Sequence, residues 1–258
     1  HDQSLGYFNS PTIAAIAIVF MVVSSINFAL HFLTWRSRRL TTYVRDSEVQ
    51  AFVLILLTLT AVTIAVLFAT RTFQTVGDTL WHGIFQVVSI ATTTGFTTSG
   101  YHWWPSFLPA MLVLVSTIGG CAGSTGGGMK AVRAALVFHH SIRELRRLIY
   151  PNGMFALRFG RHSVPDRVLQ AVWGFVGVYI TLSVIFTLLF TLTGMDLTTA
   201  VSAVAASLNN LGVGIGQVGG GFANITDSAK WMMTVLMVAG RLEVFTLLVL
   251  FTPMFWRQ

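Results

Sequence analysis

The chain has 258 residues, 54% of them hydrophobic and 10% charged, against roughly 25% charged in an average soluble domain. A water-soluble fold needs a polar shell that this composition cannot supply, so a soluble enzyme or binding domain is excluded. The net charge of +7 is carried by short loops between apolar runs, the positive-inside pattern of membrane proteins rather than a nucleic-acid surface.

In chain order, His1 stands where a start methionine would be, with no basic-and-apolar leader before the first apolar run. The chain therefore reads as an internal fragment or processed product. About 20 apolar residues cross a bilayer, and spans are predicted at Thr12–Leu33, Ala51–Thr70, Leu108–His139 (interrupted by glycines at 119–128), Val168–Leu192 and Ala229–Phe255. The last carries Arg241 and Glu243 in its apolar interior. Two segments, Asp78–Thr92 and Asp196–Asn209, are too short and mixed to cross and read as re-entrant helices, each opening on Asp and Thr.

The charges agree with five crossings and two dips. Arg36, Arg38, Arg39 and Arg45, then Lys130, Arg133, Arg143, Arg146, Arg147, Arg158, Arg161 and Arg167, then Arg257, fall on one face, which makes it cytoplasmic. The opposite face holds Arg71 and Lys230, with Tyr101, Trp103 and Trp104 expected at its interface. The order span, short helix, glycine turn, span occurs twice, over about 51–140 and 168–256. Asp78 precedes Gly95 by 17 residues and Asp196 precedes Gly212 by 16, with Ser89 and Ser207 as matching serines one residue out of step. The predicted units are 1–45, the closing helix of an upstream repeat; 46–150, a pore repeat with a broken inner helix; and 151–258, a pore repeat with an intramembrane arginine. A repeat that cannot close a pore alone implies further copies.

Three stretches carry candidate chemistry. Thr92-Thr93-Thr94-Gly95-Phe96-Thr97-Thr98 and Asn209-Asn210-Leu211-Gly212-Val213-Gly214 follow the two short helices. A pore that strips water from a cation must replace it with oxygens. Glycine allows the dihedrals that turn successive carbonyls one way, and each short helix aims its negative C-terminal end inward. The plainer reading is a turn-rich outer loop, but two copies in matching positions favour backbone that lines a cavity. The second stretch is Gly119-Gly120-Cys121-Ala122-Gly123-Ser124-Thr125-Gly126-Gly127-Gly128, six glycines in ten residues, each worth about 1 kcal/mol against a helix. It reads as a flexible strip across the pore that acts as a gate, against the alternative of close helix packing by small residues. Lys130, just after it, reads as a snorkelling interface residue. The third is Arg241, 29 residues after Gly212, as Ser124 is after Gly95. A charge at that depth marks a pathway. There it repels a passing cation and is placed to bond the strip's carbonyls; a direct pair with Glu243, two residues on, is disfavoured by helix geometry.

Other signals fail their context. Gly214–Gly219 fits G-x-G-x-x-G but follows no strand, and Gly123–Lys130 resembles a phosphate loop with Met129 and Ala131 in the wrong places. His139 and His140 diverge on a helix. Cys121, the one cysteine, permits no intrachain disulfide and reads as a small residue in the strip.

Thr92–Phe96, Gly119–Lys130 and Ala239-Gly240-Arg241-Leu242-Glu243 together resemble the TrkH-type potassium-uptake proteins of the Trk/Ktr/HKT superfamily. The resemblance covers nearly the whole chain and implies an all-α membrane protein. Its helix–re-entrant pore loop–helix repeats surround a pseudo-fourfold axis, the chain supplying the third and fourth and Thr12–Leu33 closing the second. It implies a filter at Thr93, Thr94, Gly95, Phe96, Asn210, Leu211, Gly212 and Val213, with K+ held at Thr94, Gly95, Leu211 and Gly212. It implies a gate made of Gly119, Gly120, Gly123, Ser124, Thr125, Gly126, Gly127, Gly128 and Arg241. K+ is then the transported ion, without a covalent cofactor, in a bacterial inner membrane. The implied partners are the missing N-terminal half, a second copy in a homodimer, membrane lipid, and a cytoplasmic nucleotide-binding regulatory subunit of the TrkA type, docking on loops 36–50 and 130–167. Asn209-Asn210-Leu211 departs from the threonine-rich pattern. The alternatives are a membrane-embedded enzyme that uses the strip as a phosphate or headgroup site, and an anion carrier directed at Arg241.

Overall fold

The computed structural model describes residues 4–153, 155–160, 162–250 and 252–256; His1 and the predicted cytoplasmic cations Arg161 and Arg257 lie outside them. Helix α1 (Pro11–Ser24) starts where the Ser10 hydroxyl accepts from the Ile13 amide and Pro11 takes the first-turn position that needs no amide. It does not continue to Leu33. Asn27 caps a second helix, α2 (Phe28–Ser37), by accepting from the Ala29 amide at 2.8 Å, and the pair is bent by 94°. The predicted single span is thus two helices. The break is stabilised because the Ser24 and Ser25 carbonyls, released from the helix ladder, accept from the Thr125 and Cys121 amides at 3.2 and 2.8 Å.

After the short α3 (Thr41–Arg45), Asp46 starts α4 (Ser47–Ala69), accepting from the Glu48 and Val49 amides at 3.0 Å each. Helix α5 (Val76–Ala91) opens on Thr75, not on Asp78. The Thr75 hydroxyl accepts from the Asp78 amide at 3.0 Å and donates to the Asp78 carboxylate at 2.7 Å, so Asp78 sits one turn inside. Helix α6 (Phe107–Ser116) leads into the glycine strip, and α7 (Ala131–Ile149) leaves it. A two-stranded antiparallel hairpin, β1 (Arg158–Phe159) and β2 (His162–Ser163), precedes α8 (Asp166–Leu192). Helix α9 (Leu197–Leu208) opens on Asp196 itself, whose carboxylate accepts from the Thr199 hydroxyl and amide at 2.5 and 3.1 Å. Those bonds, the hydroxyl's first, hold the Asp196 pKa below the ordinary carboxylate value. The chain ends in α10 (Asp227–Arg241), α11 (Phe245–Leu250) and α12 (Pro253–Trp256).

Among the described residues, α4 and α8 are long and apolar enough to cross a membrane unbroken, and the bent pair α1–α2 qualifies as a third span. The other two predicted crossings are interrupted. The α6–α7 path breaks at the strip, as expected. The α10–α11 path breaks directly after Arg241, where Glu243 takes a left-handed φ of 52° and the Val244 amide returns to the Ala239 carbonyl at 2.9 Å. That break has no proline and no glycine after Arg241 to announce it.

The architecture is helical and repeated in tandem. In the first unit α5 packs against α4, α6 and α1; in the second α9 packs against α8 and α10, and α6 bridges to α9. Buried Phe85, Ile90, Leu108, Leu112 and Leu67 form the first core, and Phe190, Ala203, Leu208, Ala229 and Leu236 the second. Leu211 of the second unit is buried in the first core, joining the two.

Candidate functional site

The loops after α5 and α9 have the same backbone. Thr93 and Gly95 have φ of 56° and 80°, and Asn210 and Gly212 have 53° and 78°. The Ser89 carbonyl accepts from the Thr94 and Gly95 amides at 2.8 and 3.4 Å; the Ala206 carbonyl accepts from the Leu211 and Gly212 amides at 2.9 and 3.2 Å. The units therefore align at a constant separation of 117 residues (95 with 212, 93 with 210). The expected one-residue slip arises from comparing Asp78, inside its helix, with the cap Asp196. By the same register Ser89 matches Ala206, not Ser207. Asparagine tolerates the left-handed region, but β-branched Thr93 does so only under constraint.

The constraint comes from the strip. The Thr93 hydroxyl accepts from the Gly127 amide at 2.6 Å, and a methyl on Gly127 would lie 1.9 Å from the Asn209 carbonyl oxygen. The strip thus lies directly beneath both loops. The loops also meet each other: an alanine Cβ at Gly95 would stand 1.9 Å from the Leu211 carbonyl oxygen. Gly95 and Leu211 are in this way brought together, with Thr94 and Gly212 as their neighbours in the chain. Phe96 and Val213 follow on the outer side, where the Ser89 hydroxyl donates to the Phe96 carbonyl at 2.6 Å.

Several bracing residues carried no signal as single positions. Asn209, fully buried, accepts from the Tyr179 hydroxyl of α8 and donates to the Ser116 hydroxyl of α6 at 2.9 Å. Tyr101 does not face outward from the protein. It is 1% exposed and donates to the Gly214 carbonyl at 2.7 Å, and Trp104 is buried as well; Trp103 is exposed. Tyr101 is buried where a partner exists for its hydroxyl.

The strip is held throughout. Ala122 donates to the Glu48 carboxylate at 2.6 Å, Met129 to the Thr117 carbonyl at 2.8 Å, Ala131 to the Gly120 carbonyl at 2.9 Å, and Gly123 accepts from Phe28 at 3.1 Å. Gly119, Gly123 and Gly128 take positive φ. Arg241 donates from Nη1 to the Thr125 carbonyl at 3.0 Å. Glu243 does not pair with Arg241; its carboxylate takes Arg133 at 2.6 Å. Lys130 does not snorkel. It is 8% exposed, and its ammonium donates to the Ser124 carbonyl at 3.3 Å and to that of Gly126, because the strip curls back over it. Ser124, Thr125, Gly126, Gly127, Lys130 and Arg241 border one cavity of about 340 Å³. His139 and His140 serve separate partners, the Ala135 carbonyl and the Trp173 indole.

A family profile described as TrkH, cation transport protein, matches residues 1–258. The chain is 46% identical over 258 residues to the Trk system potassium uptake protein TrkH of Salmonella typhimurium, covering 100% of itself and 53% of that protein. It is 34% identical over 258 residues to the Trk system potassium uptake protein TrkG of Escherichia coli, with the same coverage of 100% and 53%. The crystal structure of the potassium transporter TrkH from Vibrio parahaemolyticus matches with a TM-score of 0.95 at 46% identity, over 100% of this chain and 55% of that one. The chain spans about half the length of the curated relatives it matches.

Proposed function

Since the chain belongs to the TrkH family of cation transport proteins, we propose that it supplies two pore repeats of a potassium-uptake protein. Residues 46–150 form one, 151–258 the other, and 1–45 close an upstream repeat. Peptide oxygens of Thr93, Thr94, Gly95, Asn210, Leu211 and Gly212 replace water around K+, with the remaining oxygens of a pseudo-fourfold ring supplied by sequence outside this chain. The strip 119–128, with Arg241 on the Thr125 carbonyl, closes the path below. The observation that carries this reading is the approach of Gly95 to the Leu211 carbonyl from two loops of identical backbone twist. Close, same-handed re-entrant backbone is tolerated at membrane depth only around a polar cavity or inside protein.

The basic segments 36–50 and 130–167 face the cytoplasm of a bacterial inner membrane. They offer the surface for a nucleotide-binding regulatory subunit and for anionic lipid, and the full-length protein works as a homodimer. A phosphate site in the strip is disfavoured, because the amides of Cys121, Ala122, Ser124, Thr125 and Gly127 already donate to protein acceptors. The test is ion flux by the full-length protein in liposomes, with potassium and sodium compared. Potassium flux well above sodium flux is expected; equal or absent flux of both contradicts the reading.

A further inference from the structure

Arg241 is one of two cations on the strip. Three successive carbonyls, Ser124, Thr125 and Gly126, point at positive charge: the outer two accept from the Lys130 ammonium and the middle one from Arg241. Lys130 is placed there by backbone, not chance. It takes a φ of 75°, and the amides on either side, Met129 and Ala131, are tied to the Thr117 and Gly120 carbonyls at 2.8 and 2.9 Å. Among the described residues no carboxylate pairs with it, since Glu243 is engaged by Arg133 and Glu48 by Ala122. The buried Ser124 hydroxyl has no partner among the described residues and borders the same cavity. The ammonium hydrogen-bonds only to neutral carbonyl oxygens, with Glu243 also bordering the cavity, and such oxygens are what suits a dehydrated potassium ion, a cation of the same charge.

We propose that Lys130 is a second gate cation: its ammonium is held by the Ser124 and Gly126 carbonyls beside the cavity that the unpartnered Ser124 hydroxyl also borders, and a permeating ion passes only when the ammonium leaves. The inference rests on the transport reading above. It makes the strip an ion-coordinating station below the filter, plugged by a tethered charge. Lysine suits this role better than arginine at Thr125, being a compact charge with rotatable donors, whereas guanidinium is a planar fork.

The test is basal rubidium flux by the full-length protein in liposomes. Lys130→Met is expected to raise it roughly tenfold, the change that follows when a charge-assisted hydrogen bond is lost from the closed state alone. Lys130→Arg, which keeps the charge but replaces the compact ammonium with a planar fork, is expected to raise it less than Lys130→Met does. A Lys130→Met protein that does not fold is replaced by Lys130→Gln, for which the same rise is expected. Flux at or below wild type in the neutral variant, while Arg241→Ala raises it, overturns the role of Lys130 alone. Equal flux in the Met and Arg variants overturns it too, since charge would then not matter. No rise in either the Lys130 or the Arg241 variant overturns the gate reading together with it.

Discussion

Gly95→Ala in the full-length protein is expected to reduce selective potassium flux by at least about tenfold. Two effects add. At a φ of 80° an alanine carries roughly 1–2 kcal/mol of left-handed strain, and its methyl would sit 1.9 Å from the Leu211 carbonyl oxygen, far inside contact distance. The obstacle is backbone of the neighbouring loop, so it cannot swing away as a side chain would. Either Leu211 turns its oxygen off the axis or Gly95 leaves the left-handed region; both misdirect proposed ligands, and each ~1.4 kcal/mol is a factor of ten. Gly212→Ala makes the matching comparison. Its φ of 78° imposes the same strain, but a methyl there meets nothing within 4 Å among the described residues. The expected loss is smaller. Potassium-to-sodium flux ratios of the two variants, measured side by side, check this ordering; equal ratios at wild-type level in Gly95→Ala contradict it.

Arg241→Ala is expected to act in the opposite direction, raising basal potassium flux about tenfold or more. The guanidinium fixes the Thr125 carbonyl at 3.0 Å, and a hydrogen bond from a charged donor contributes about 1.5–3 kcal/mol. In the proposed gate, removing it destabilises the closed strip and deletes a positive charge from the ion's path. Arg241→Lys keeps the charge but lacks the planar fork, so an intermediate rise is expected. Flux assays on the reconstituted full-length variants decide it, and unchanged flux in Arg241→Ala counts against a gating role. Because Gly95→Ala and Arg241→Ala shift flux in opposite directions, general loss of folding cannot mimic both.

What the sequence made legible were features with no cheap alternative. A glycine in a threonine-rich stretch after a short apolar helix, six glycines in ten residues, and an arginine inside an apolar run each violate what a simple span allows, so each announces itself. Helix caps were partly legible: Asp196 starts its helix as read, but Thr75 stands ahead of Asp78, and a Thr-x-x-Asp pair puts the acid at the third helical position rather than the cap. Breaks held together by distant partners were not legible. At Ser24-Ser25 the local signs are weak ones, two serine hydroxyls bonding back to the Met21 carbonyl and the Asn27 cap; the carbonyls freed there accept from Cys121 and Thr125, about a hundred residues later. The stop after Arg241 is similar, with α10 laid so close that a methyl on Gly240 would touch the Leu208 carbonyl at 1.9 Å. Burial of Tyr101, Tyr179 and Lys130 has the same origin. A tyrosine or lysine looks interfacial in one dimension, and only the folded chain reveals a carbonyl or asparagine waiting inside.

The central claim is that peptide oxygens of the two glycine turns bind a dehydrated cation on a shared axis. Anomalous diffraction from crystals of the full-length protein grown with thallium or rubidium tests it most directly. The account predicts a peak at coordinating distance from the carbonyls of Thr94 and Leu211, alongside Gly95 and Gly212. Anomalous density confined to other parts of the protein, with those carbonyls facing protein or lipid, would contradict it.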